Sequence, residues 1–249
     1  MPMTIQAMLW GLLAGSALVL GAAIAWFARV SPRWVAAVMA FGSGVLVSAL
    51  SFELMDEAFK QGGFDSTAYG FLGGAAAFTA ANWVVTRRGG SHRKRSGDQQ
   101  QKADDGSGLG IAVGALLDGI PESVVIGVSL LRGDGVSLVA VAAVFLSNVP
   151  EGLSSAAGMR RAGRGAGYVF GVWIGIALLS GLAALVGNAA LSGADPELIA
   201  AVTAVAAGAI LAMLADTMIP EAFEEVGDFT GLITVAGFLA AFVLSKLEG

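Results

Sequence analysis

The sequence predicts an all-α membrane protein, an eight-transmembrane-helix bundle with an inverted 3+2+3 repeat arrangement. Three observations predict it. Of the 249 residues, 56% are hydrophobic and only 13% are charged, where a soluble domain carries about 25%. The chain is a succession of apolar runs of about 20 residues, the length that crosses ~30 Å of hydrocarbon. The third observation is an internal likeness between Gly44 to Phe59 (GVLVSALSFELMDEAF) and Gly208 to Phe223 (GAILAMLADTMIPEAF). One copy runs outward and the other inward. That is the pattern of an inverted-topology repeat with its substrate site near the midplane.

The runs follow in order at about 5–27, 34–58, 66–86, 108–130, 136–158, 166–188, 197–220 and 229–247, each long enough to span. No basic residue precedes the first, so it reads as a span rather than a cleaved signal peptide. With the N-terminus outside, the inner loops hold Arg29, Arg33, Arg87, Arg88, Arg93, Lys94, Arg95, Lys102, Arg160, Arg161 and Arg164. The outer side holds Lys60, Arg132 and Lys246. This bias predicts a multi-pass protein of the plasma (cell inner) membrane with both termini outside.

Residues 87–107 are the one long polar stretch. Their composition reads as a disordered, basic cytoplasmic linker, and its bases suit anionic lipid headgroups. Nothing marks a second domain, so 1–249 reads as a single transmembrane domain. Small residues at four-residue spacing, Gly70 and Gly74 in the third run and Gly171 and Gly175 in the sixth, suit either packing within the bundle or a homodimer.

Composition also excludes chemistry. The absence of cysteine removes disulfides, zinc thiolate sites and cysteine nucleophiles. The single histidine, His92, lies in the polar loop, so no serine–histidine dyad forms. HExxH is absent, and Asp118 has no second mid-span aspartate for a protease. The chain reads as a non-enzyme with no bound cofactor and no nucleic-acid partner.

The chemistry lies in a Pro–Glu pair set in apolar sequence, with a polar residue four places before each glutamate. The copies are Asp118-x-x-Pro121-Glu122, Ser147-x-x-Pro150-Glu151 and Thr217-x-x-Pro220-Glu221, with a relaxed copy at Glu53-x-x-Asp56-Glu57. Ionisable residues inside membrane segments are costly and mark ion paths or proton relays. Positions i and i+4 share a helix face. Asp118 with Glu122, and Ser147 with Glu151, therefore project together from mid-span, with Asn148 one residue around. A short turn around Arg132 to Gly135 predicts that the two spans are neighbours. Pro121 and Pro150 free the carbonyls of Leu117 and Leu146, further oxygen donors for a cation. Glu53 and Glu57 fall at the outer end of the second run, and Asp216 and Glu221 at the inner end of the seventh, which outlines a cation route.

The strings DGIPES and SNVPEG in consecutive mid-chain spans resemble the signature of the ZIP (Zrt/Irt-like) metal transporters. The endings FELMDEAF and MIPEAF, the inner loop and the outside termini are similar too. The resemblance covers nearly the whole chain. It implies passage of divalent cations (zinc, iron or manganese) into the cytoplasm through a site between spans four and five. By position Asp118 and Ser147 stand where the family places histidine, Gly119 where it places asparagine, and Glu53 where the second span places histidine. Pro121, Glu122, Asn148, Pro150 and Glu151 match. The metal ligands so implied are Asp118, Glu122, Ser147, Asn148 and Glu151, with Glu53, Glu57, Asp216 and Glu221 along the path. An oxygen-only site shifts preference from zinc toward harder ions. The rival readings are a non-transporting ZIP-like membrane protein and a proton-coupled solute transporter.

Overall fold

The computed structural model describes residues 1–87, 108–132 and 135–248. The basic linker, Arg87 apart, and the centre of the turn after Arg132 lie outside these residues. Among the described residues the chain is helical throughout, with no strand. The α-helices are α1 (Met3–Phe27), α2 (Pro32–Ala49), α3 (Asp56–Val85), α4 (Gly108–Ser129), α5 (Leu138–Arg161), α6 (Ala166–Leu191), α7 (Pro196–Met213), α8 (Ile219–Val226) and α9 (Thr230–Glu248). Without water to satisfy peptide groups, an apolar chain must bond its backbone internally, and the helix does so within one segment.

Among the described residues, five helical stretches are long and apolar enough to cross a membrane. Two of them, Pro32–Val85 and Pro196–Leu247, contain 54 and 52 residues. They follow the same course. α2 and α7 are both 18 residues long and both carry proline at the helix start, where its fixed φ is pre-set and its missing N–H has no partner to lose. Each then passes into a π-helical segment, Leu50–Met55 in one and Leu214–Met218 in the other. Each is interrupted by a glycine at positive φ, Gly63 at 69° and Gly227 at 63°, a conformation that a Cβ would strain.

Glycines set which helices touch. A Cβ on Gly44 of α2 would run into the Thr234 carbonyl of α9, and one on Gly237 of α9 into the Phe41 carbonyl of α2. The same reciprocal contact joins α7 to α3, with Gly208 against Phe71 and Gly74 against Val205. It recurs between α1 and α5 through Gly21 and Gly152, while α4 approaches α6 from one side only, through Gly127 against the Ala184 carbonyl. Lipid is as apolar as leucine, so close backbone approach, not hydrophobic burial, is what holds such helices together. Of the glycines singled out above, Gly70 and Gly74 pack on α7, while nothing faces Gly171 and Gly175 among the described residues.

The packing corrects one expectation. The short connection predicts α4 and α5 as direct partners. They do touch, but α4 lies mainly on α6 and α5 mainly on α1 and α2. The bundle exposes apolar side chains and encloses polar ones within an apolar core. Large apolar side chains such as Leu9, Leu72, Leu178 and Leu239 are exposed, while serines, asparagines and carboxylates are buried.

Candidate metal centre

α4 carries Asp118 and Glu122 one turn apart, and both side chains are almost fully enclosed, at 1% and 2% exposure. The helix continues through Pro121. Here the small neighbours help: the Ser123 hydroxyl donates to the Gly119 carbonyl at 2.7 Å, one of the back-bonds that let a helix bend around proline. A Cβ on Gly119 would have only the Ser180 hydroxyl nearby, at 3.8 Å. Unlike the packing glycines, this position has room for a side chain.

α5 also runs through its proline, and Ser147, Asn148, Pro150 and Glu151 are all buried. The Ser147 hydroxyl donates to the Val144 carbonyl at 2.9 Å. The Asn148 amide nitrogen donates to the Ala14 carbonyl at 3.1 Å, so Asn148 ties α5 to α1 through its nitrogen while its oxygen is the atom that can ligate a cation. The Leu146 carbonyl, which Pro150 leaves without its helical donor, lies beside Gly42, 3.4 Å from where a Cβ would sit. The missing side chain at Gly42 is what lets α2 approach that carbonyl.

A fourth buried acid comes from α8. Glu221 is 8% exposed, and its Oε1 accepts from the Ser154 hydroxyl at 2.7 Å. Ser154 follows Glu151 by three residues on α5, so α8 brings Glu221 to within one turn of Glu151. A serine beside a Pro–Glu motif is not by itself a signal, and sequence reasoning missed this link. Asp216, in contrast, lies exposed on the π-helical segment.

The other acids form a separate, wetter group. Glu53 is half-buried and accepts from Ser245 at 2.7 Å and from Ser137 at 3.4 Å, which joins the π-helical segment to α9 and to the N-cap of α5. Glu57 accepts from the Gln61 amide. Lys60 pairs with Asp56 at 2.7 Å, both well exposed. Its ammonium is raised above the ordinary 10.5 because Asp56 accepts its hydrogen bond and attracts its charge.

Two facts define what the buried set can do. Asp118, Glu122, Glu151 and Glu221 are buried, and no lysine, arginine or histidine is buried with them among the described residues. An ionised carboxylate in a low-dielectric interior is costly, so four enclosed acids suit a path for protons or cations. Secondly, no three His, Cys, Asp or Glu side chains among the described residues come together closely enough to hold one metal ion. An ion here would therefore take one or two carboxylates and complete its shell with hydroxyl, amide or carbonyl oxygens, a ligand set that suits hard divalent cations.

The class defined so far is an all-helical protein with several helices able to cross a membrane and a core that encloses acids. No protein-family model matches the chain, and no curated protein matches it either.

Proposed function

We propose that this chain is a divergent ZIP-like transporter that moves divalent metal cations into the cytoplasm. The carrying observation is the enclosure of four acids, Asp118, Glu122, Glu151 and Glu221, within the helical core. The resemblance of DGIPES and SNVPEG to the family's paired motifs supplies the cargo class. The route runs past the acids of α4 and α5, with Glu221 reaching it from α8, Glu53 and Glu57 at one end and Asp216 at the other. Ligands made only of oxygen favour manganese, iron(II) or magnesium relative to a histidine-bearing site.

The proposal includes eight crossings in an inverted 3+2+3 arrangement in the inner membrane, with both termini outside. A straight helix of 54 residues would extend about 80 Å, more than twice the hydrocarbon thickness. Gly63 and Gly227 therefore divide two of the long stretches, and α4 adds a crossing. Support for the repeat comes from the shared course of Pro32 to Gly63 and Pro196 to Gly227. The reciprocal glycine contacts support it further: α2–α9 mirrors α7–α3.

The test is metal uptake into vesicles reconstituted with the pure chain. Removing a charged ligand from a buried site is expected to reduce manganese flux by about tenfold or more, so Glu122→Gln and Glu151→Gln should both be crippled. Ser147→Ala, which removes only a neutral donor, should be close to native. Near-native flux in both glutamate variants would sink the reading. Proton or solute uptake without metal in the native chain would favour the proton-coupled alternative.

A further inference from the structure

A cavity of about 340 Å³ lies at the junction of α1 and α5, where α5 ends in Arg160 and Arg161 and Arg29 follows the end of α1. Arg29, Arg160 and Arg161 line it together with Ala25, Val30 and Leu153, and no acid does. Three arginines thus line one recess, and among the described residues no carboxylate lines it with them. Arg29 and Arg161 are exposed. Arg160 is fixed: one nitrogen donates to the Trp26 carbonyl at 2.8 Å and to the Ala25 carbonyl at 3.1 Å, and its guanidinium lies 5.6 Å from the Trp26 ring centre. Its remaining donors are held in place for another acceptor.

The surroundings indicate depth. Trp26 and Phe27 stack against Phe170, with ring centres 6.2 and 6.4 Å apart. Such aromatic clusters occupy the level of the lipid headgroups. The recess therefore has a cationic mouth at headgroup depth and an apolar wall of Ala25, Val30 and Leu153 below it. Guanidinium binds phosphate through paired N–H donors, and basic pockets between helices on the inner side take anionic headgroups.

We propose that this recess binds the phosphate of an anionic phospholipid, which locks α1 to α5 beside the helix that carries Glu151. A free phosphate compound shares the charged group but has no acyl chain to lie against the apolar wall, so it should bind far more weakly. The site is independent of the transport reading. Metal flux could fail while the lipid site stands, and the reverse.

The experiment uses the full chain purified in a mild detergent and titrated with phosphatidylglycerol, phosphatidylcholine or inorganic phosphate. Bound lipid is counted by native mass spectrometry and the thermal midpoint is recorded. Saturable binding of phosphatidylglycerol with a raised midpoint is expected, with little effect of the other two. Arg29→Gln combined with Arg161→Gln should weaken phosphatidylglycerol binding about tenfold or more. Arg29→Lys with Arg161→Lys should restore part of it, and Lys60→Gln with Lys246→Gln should change nothing. Arg160 is left intact because it holds the end of α1. If the double glutamine variant does not fold, the native chain still decides between the lipids. Equal response to phosphatidylcholine, an unchanged glutamine variant, or a full response to inorganic phosphate alone would each overturn the proposal.

Discussion

From Pro32 to Gly63 and from Pro196 to Gly227 the chain takes the same path, an 18-residue α-helix, a π-helical segment and a glycine at positive φ. Both stretches carry Glu-Ala-Phe shortly before that glycine. Yet Glu57 stays half-buried and accepts from its own helix neighbour Gln61, whereas Glu221 is buried and accepts from Ser154 of another helix. Proline, glycine and the apolar pattern suffice to repeat a backbone. They do not repeat an environment, because burial of an acid depends on what packs over it. In the second stretch α5 supplies that cover; in the first, the acid keeps to the rim beside Asp56 and Lys60.

The largest expected effect tests whether the two stretches do the same packing work. Gly44→Val and Gly208→Val each drive a side chain into a neighbouring backbone carbonyl, Thr234 in one case and Phe71 in the other. Overpacking against such unyielding atoms costs about 1–3 kcal/mol or more, so both should lower the thermal midpoint strongly and to a similar degree. If only one variant is destabilised, the two contacts are not equivalent.

A middling effect separates the two acids. Glu221→Gln should cut metal flux in vesicles by about tenfold, since a buried charge marks a functional path, and Glu57→Gln should cut it much less. Ser154→Ala should fall between them, because loss of a buried donor costs about 1–3 kcal/mol at its partner. Equal losses from Glu57→Gln and Glu221→Gln would erase the contrast drawn from burial.

The smallest effect concerns the exposed pair at the end of the first stretch. Lys60 has a raised folded-state pKa, so what it contributes is complete below the ordinary 10.5 and is lost only as the pH rises through the higher folded value. Between pH 6 and 9 the thermal midpoint of Lys60→Gln should therefore track that of the native chain. A divergence within that window would show that another titrating group depends on Lys60.

The sequence by itself determined a helical chain of membrane character and the shared helix faces of its mid-span acids. The apolar runs are long, charge is nearly absent from them, and the i, i+4 spacing around Pro121 and Pro150 puts Asp118 with Glu122 and Ser147 with Glu151 on common faces. Those are local properties, fixed by helix period and by the cost of exposing peptide groups to lipid. Partner choice was not local. Helices such as α1 and α6 are apolar nearly all round, so no stripe announces which neighbour they take. Only the meeting of Gly127 with Ala184 and of Gly152 with Leu18 put α4 on α6 and α5 on α1. Tertiary structure also decided that Glu221 turns inward to Ser154 while Asp216, five residues earlier in the chain, faces out. It decided, too, that Glu53 serves three helical segments through Ser137 and Ser245. The physical reason is common to all of these. A side chain's face follows from its own helix, but its surroundings are set by residues more than fifty positions away, and in lipid they are chosen by the fit of small residues rather than by hydrophobicity.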